Sequence, residues 1–306
     1  MSGGVLSAMW VLLWASGFIV AGVSRQHADP LTFLAVRYVL SIAVFGALAR
    51  VAGASWPRSR RAWRDALIAG ALIQGLYLGG VFWAMWHGLP AGVAALVGGL
   101  QPLLTAAIVA PWLGERVVAR QWLGIALGFG GVALVVAPAL GRVDGIPPLA
   151  LAVAFGAMLA FTAGTFWQKR IGAALDVRVG AAIQFIGALV LTAPVAVLIE
   201  PGRFDGSWPV WGAMLWCVFG ISVGATSLLL VLIARGAVSR VVALLYLVPP
   251  AAALMAFALL GETMMLVQIA GMALCAVGVL LAARTAPVIS AGGRPGRTAA
   301  QQQDPA

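Results

Sequence analysis

The stretch Gln121-Trp-Leu-Gly-Ile-Ala-Leu-Gly-Phe-Gly-Gly-Val-Ala-Leu134 returns later as Gln268-Ile-Ala-Gly-Met-Ala-Leu-Cys-Ala-Val-Gly-Val-Leu-Leu281, identical at 7 of 14 positions. The shared residues are Gln121, Gly124, Ala126, Leu127, Gly131, Val132 and Leu134, matched by Gln268, Gly271, Ala273, Leu274, Gly278, Val279 and Leu281. The same shift of 147 residues carries Pro102 onto Pro249, and Leu113-Gly114-Glu115 onto Leu260-Gly261-Glu262. An internal repeat constrains the architecture before any single element does. This one lies inside apolar segments long enough to cross a bilayer.

Around the repeat, composition narrows the class. The 306 residues are 62% hydrophobic and 9% charged, against about 25% charged in soluble domains. No water-soluble fold hides that much apolar surface, so the expectation is an all-α integral membrane protein. The net charge of +10 does not point to nucleic acid, because the basic residues sit in short loops between apolar runs. Cys217 and Cys275 lie inside apolar runs without a CxxC or metal-ligand spacing and read as small buried residues. The run from Val5 to Ser24 has no basic segment before it and reads as a first membrane helix, not a cleaved signal.

Apolar runs of about 20 residues span the hydrocarbon. Ten are expected, at 5–24, 31–50, 65–86, 90–112, 121–140, 147–168, 178–199, 209–233, 238–260 and 265–283. One side of the membrane then receives Arg50, Arg58, Arg60, Arg61, Arg64, Arg116, Arg120, Lys169, Arg170, Arg178, Arg235, Arg240, Arg284, Arg294 and Arg297, while the other receives Arg25, Arg142 and Arg203. That bias places both termini in the cytoplasm. With five runs in each copy, an odd number, the second copy must enter from the opposite face. The expected domains are a first five-helix repeat over 1–141, an inverted second over 142–284, and a disordered cytoplasmic tail over 285–306. Inverted-topology repeats are a recognised basis of alternating access, so the architecture points to transport.

A chain of this form resembles the drug/metabolite transporter superfamily, and within it the EamA-type ten-helix exporters. The residues that carry the resemblance are Pro102, Leu113-Gly114-Glu115, Gly124 and Gly131, with Pro249, Leu260-Gly261-Glu262, Gly271 and Gly278. The opening Trp14-Ala15-Ser16-Gly17-Phe18 and the abundant Trp and Gly are most similar to YddG-type amino-acid exporters of bacterial inner membranes. The resemblance implies a multi-pass inner-membrane protein exporting aromatic or neutral amino acids. A related small multidrug pump uses a membrane carboxylate to exchange cations for protons. Here no Asp or Glu lies inside an apolar run away from its ends, so a bare cation is not the expected substrate.

Polar groups within the hydrocarbon need a reason. Arg37 either lines the cavity and attracts a substrate carboxylate, or reaches outward, or pairs with Asp29. Its repeat mate is Gln184. Gln74 and Tyr77 share a helix face and form a credible cavity wall. Thr162 and Thr165 are similarly spaced, with Trp167 nearby, although threonines also bond back to their own helix. Ser16 shares that ambiguity. Trp14, Trp83 and Trp167 are candidates for stacking on substrate. Gln101 precedes Pro102 and Tyr246 precedes Pro249-Pro250; these prolines are candidate hinges framing the site. His87 is either a solvated end residue or a gate. Glu115 and Glu262 read as helix-end residues at opposite faces. The small-residue pairs Gly75/Gly79, Gly124/Gly128, Gly220/Gly224 and Gly271/Cys275 let helices approach closely.

The expected function is export of small amphipathic metabolites by alternating access around a central cavity. Drug export on the same fold, or a passive channel, remain open beside it. No catalytic constellation, cofactor or metal site is visible. The expected partners are an amino-acid-like small molecule and the lipid bilayer, without nucleic acid or an obligate protein partner.

Overall fold

The computed structural model describes residues 3–104, 118–136, 145–171, 175–228, 231, 247–262 and 265–283. These residues form helices α1 (Gly3–Ser24), α2 (Pro30–Val51), α3 (Arg60–Trp86), α4 (Ala91–Gly99, followed by a helical turn Gln101–Leu104), α5 (Ala119–Val136), α6 (Pro148–Ile171), α7 (Val177–Ile199), α8 (Trp208–Leu228), α9 (Val248–Leu260) and α10 (Leu266–Ala283). Six of them, α1, α2, α3, α6, α7 and α8, are long and apolar enough to cross a membrane, and α5, α9 and α10 contain shorter apolar helices. Each lies largely within an apolar run read from the sequence. Glu115 and Tyr246 fall outside the described residues.

The repeat appears in bonds as well as in letters. Gln121 Oε1 accepts the Val118 N–H at 2.9 Å, and Gln268 Oε1 accepts the Met265 N–H at 2.8 Å. In each copy the glutamine reaches back to satisfy an amide that the helix start leaves without a partner. The two stretches also pack on each other. A Cβ at Gly131 would stand 2.5 Å from the Gly271 carbonyl oxygen, and one at Gly278 would stand 2.5 Å from that of Gly124. Late residues of α5 therefore meet early residues of α10, so the two helices run antiparallel. In lipid there is no hydrophobic drive to bring helices together, and close backbone approach through glycine takes its place.

Two other repeat-related pairs are antiparallel as well. Phe185 of α7 lies against Tyr38 and Phe45 of α2, at 5.9 and 5.8 Å between ring centroids. A Cβ at Gly92 of α4 would be 3.6 Å from the Ala253 Cβ of α9, and one at Gly99 would be 2.6 Å from Pro249 Cγ. Between α3 and α7 the contact is tighter still. A Cβ at Gly70 would overlap the Gln184 carbonyl, and one at Gly187 would overlap that of Leu67. The repeat equivalents of Gly70 and Gly187 are Cys217 and Leu40. With side chains at both positions, α8 and α2 make a much sparser contact than α3 and α7.

One end of the bundle is fastened by carboxylates. Asp29 and Asp176 precede α2 and α7 at equivalent positions. Asp176 caps its own helix through the Arg178 N–H at 2.9 Å. Asp29 instead accepts the Arg203 N–H at 2.7 Å, and Glu200 caps α2 in its place. The Glu200 oxygens accept from the Leu31 N–H (2.9 Å), the Thr32 N–H (2.8 Å) and the Thr32 hydroxyl (2.9 Å). An isolated antiparallel bridge joins Ala28 to Phe204. Beside it, Asp205 accepts from the Ser207 N–H and sits 2.6 Å from His27 Nδ1. Bonds from Ser207, then from His27, hold the Asp205 carboxyl down at about 2. Its contribution to this loop is thus present above the ordinary carboxylate range and lost only as pH falls towards 2.

Two sequence readings change in detail. Pro249 and Pro250 occupy the first turn of α9, where a missing N–H costs no intrahelical bond; they do not interrupt a described helix. Among the described residues, the nearest atoms to Gly220 and Gly224 belong to their own helix, with Leu13 of α1 4.0 Å from a Cβ at Gly224. A Cβ at Gly220 would lie 3.1 Å from the indole of Trp216 in the same helix, and one at Gly224 would lie 3.2 Å from the Phe219 carbonyl oxygen.

Candidate functional site

Midway along α3 and α8 the backbone changes register. Ala71–Leu78 in α3 and Trp216–Ala225 in α8 are π-helical. Adding 147 to 71 and to 78 gives 218 and 225, so the two segments are repeat equivalents. A π turn leaves carbonyls off the regular ladder and recurs at functional sites. Here the freed groups are used. The Tyr38 hydroxyl donates to the Gln74 carbonyl, and the Ser222 hydroxyl donates to the Cys217 carbonyl at 3.0 Å. Most of the candidate site residues group around one or other of these two segments.

The first group surrounds the π segment of α3. Tyr77 stacks on Phe161 of α6 with ring centroids 4.5 Å apart. Gly98 of α4 adjoins both the Tyr77 hydroxyl and Phe18 of α1; a Cβ there would be 3.6 Å from each. Gln101 Nε2 donates to the Thr165 hydroxyl at 3.3 Å, and that hydroxyl donates to the Thr162 carbonyl at 2.9 Å. Thr162 itself is buried and bonds back to the Met158 carbonyl at 3.0 Å. The helix breaks at Leu100, because Pro102 has no N–H to offer the Gly98 carbonyl. Four helices thus converge on aromatic faces joined to neutral hydrogen-bonding groups. Gln74 and Gln184 are half-buried in the same region, with the Gln184 backbone beneath Gly70.

The second group surrounds the π segment of α8. The Trp216 indole N–H donates to the Ser16 hydroxyl at 2.8 Å, and Ser16 donates to the Leu13 carbonyl at 2.7 Å. Trp14 packs beside Trp10 at 5.4 Å. Arg37 is 5% exposed. One of its terminal nitrogens donates to the Ser222 hydroxyl at 3.3 Å, and its Nε has no partner. The guanidinium occupies the sparse contact between α2 and α8. It neither reaches an interface nor pairs with Asp29, which Arg203 engages instead. Among the described residues the ion pairs lie at helix ends, away from this cation.

Trp83 and His87 belong to neither group. Their rings stack at 3.6 Å at the end of α3, and His87 Nδ1 lies 2.8 Å from the Trp83 carbonyl oxygen. Trp167 is half-buried on α6. Pro249 and Pro250 line a small apolar void with Leu96, Gly99 and Met272. Sequence reasoning missed Phe18, Phe161, Trp216 and Ser222. The first three look like core aromatics, and Ser222 acquires its role only from the π register.

The profile of the EamA-like transporter family matches residues 1–137 and 148–284. The uncharacterized transporter YvbV of Bacillus subtilis (strain 168) is 25% identical over 90% of each chain. A probable amino-acid metabolite efflux pump of Salmonella typhimurium is 26% identical over 91% of this chain and 93% of its own. The uncharacterized inner membrane transporter YedA of Escherichia coli (strain K12) is 26% identical over 61% of this chain and 60% of its own. A crystal structure with 22% sequence identity superposes with a TM-score of 0.64 over 92% of this chain and 96% of its own, a likeness of fold.

Proposed function

The chain belongs to the EamA-like transporter family, and from that premise we propose that it exports neutral or aromatic amino acids by alternating access. It is a transporter and not an enzyme, and a multi-pass protein of the bacterial inner membrane. The substrate class is our reading. The observations that support it are the aromatic and neutral hydrogen-bonding group around Tyr77 and, among the described residues, the buried cation Arg37 with no carboxylate beside it. A zwitterion with an apolar side chain matches both: the side chain lies against Tyr77 and Phe161, and the carboxylate meets Arg37. The Salmonella relative's name, an amino-acid metabolite efflux pump, agrees with this reading.

The transport mode rests on the repeat. Three repeat-related helix pairs run antiparallel, and the excess of arginine and lysine on one side supports cytoplasmic termini. Two halves of opposite orientation can exchange conformations and open the site to each side in turn. The end bearing Glu200 and Glu262 then faces outward.

Counterflow in reconstituted vesicles tests the substrate. Aromatic and neutral amino acids should drive it, and the corresponding amines without a carboxylate should not. Saturation should be seen, which a channel would not give. A panel in which no amino acid drives counterflow, while uncharged drugs do, would reject the reading. Tyr77→Ala should raise the KM for an aromatic substrate roughly two- to tenfold, since an aromatic pair contributes about 0.5–1.5 kcal/mol beyond burial. The KM for alanine should change much less.

A further inference from the structure

Glu262 closes the second Leu-Gly-Glu. Gly261 ends α9 in the left-handed region at φ +69°, which turns the chain so that Glu262 meets the start of α4. The Ala91 N–H donates to its Oε1 at 2.7 Å, and the Gly92 N–H to its Oε2 at 3.2 Å. Pro90, the residue before α4, offers no side-chain cap. A carboxylate 171 residues away in sequence therefore satisfies amides that a helix start leaves unpartnered, at the positive end of its dipole.

Below this contact the α4–α9 seam is apolar. Gly92 faces Ala253, Gly99 faces Pro249, and the void beside Leu96 and Met272 follows. The α2–α7 seam at the same end is fastened differently. It has three bonds to Glu200, the Asp29 bond to the Arg203 amide, the Ala28–Phe204 bridge and the His27–Asp205 pair. Among the described residues Glu262 is the one polar fastening of the α4–α9 seam, and of the two seams this is the one built to part. It also borders the Tyr77 group, because α4 contributes Gly98 to that group and Pro249 abuts Gly99.

We propose that Glu262 is the clasp of an outward gate between α4 and α9, and that its release from the Ala91 and Gly92 amides is the step that lets substrate leave. The proposal rests on the exporter reading for its direction, but its geometry can be tested without a substrate. Glu262 acts on the path and not on recognition.

In a background carrying Cys217→Ser and Cys275→Ser, the pair Gly92→Cys and Ala253→Cys places two Cβ atoms about 3.6 Å apart, within disulfide range. Oxidation should lock the seam and stop export, and reduction should restore it. Separately, Gly98→Cys puts a thiol beside Tyr77. In right-side-out vesicles its labelling by a membrane-impermeant reagent should rise at least fivefold when Glu262→Ala is added. Glu200→Ala should leave the labelling rate near its starting value. Export that continues through the cross-linked protein, or labelling unchanged by Glu262→Ala, overturns the clasp. If the native chain proves to export no amino acid, the labelling result alone decides. A failure of the substrate reading is thereby kept apart from a failure of the gate.

Discussion

Arg37→Gln is expected to lower amino-acid export roughly ten- to hundredfold while the protein stays folded. The guanidinium is buried, makes one 3.3 Å bond to Ser222 and leaves Nε without a partner. An uncompensated buried charge is costly, and a substrate carboxylate supplies the missing counter-charge. A hydrogen bond to a charged group contributes about 1.5–3 kcal/mol, and each 1.4 kcal/mol is about tenfold in affinity. Glutamine is the residue the repeat itself carries at position 184, so the site can accommodate it. Ser222 keeps its bond to the Cys217 carbonyl. The decisive measurement compares an amino acid with its carboxamide in counterflow. The native chain should prefer the carboxylate, and the variant should lose that preference. Equal rates for native and variant protein would assign Arg37 to packing alone.

Gly187→Leu is expected to prevent a stable fold. Any Cβ at this position overlaps the Leu67 carbonyl, and the reciprocal residue Gly70 overlaps that of Gln184. Both obstacles are backbone, so no side-chain rotation relieves them. Over-packing typically costs about 1–3 kcal/mol and occasionally more; two backbones forced apart belong at the upper end. The control is Gly156→Leu, where nothing lies within 4 Å of the added Cβ. Size-exclusion profiles and thermal unfolding in detergent should show Gly187→Leu aggregated or strongly destabilised and Gly156→Leu near native. A monodisperse Gly187→Leu with an unchanged Tm would refute the close approach of α3 and α7.

The sequence made the membrane class and the repeat legible because both are written in side-chain chemistry that the bilayer reads directly. Long apolar runs and arginine-bearing loops need no tertiary context. The Gly124 and Gly131 stretch was visible as a packing surface, although not that its partner would be its own copy. The π segments were hidden, since an extra residue in a turn has no residue code. With them went Ser222 and Trp216, whose bonds exist only in that register. Arg37 was conspicuous as a cation in an apolar run. Its neighbours were not, because Ser222 lies 185 positions away. Glu262 was recognised as a helix-end residue, and only the fold shows that the helix it caps is a different one.

The reciprocal packing of α5 and α10 carries a consequence for symmetry. Gly131 meets Gly271 while Gly124 meets Gly278, so the contact maps onto itself when the copies are exchanged. A surface of that kind is isologous and closes with two-fold symmetry. A chain of half this length, carrying one copy alone, would have presented the same glycine face to a second molecule lying the other way up. Away from that shared face the two copies are not interchangeable: Arg37 stands in one where Gln184 stands in the other.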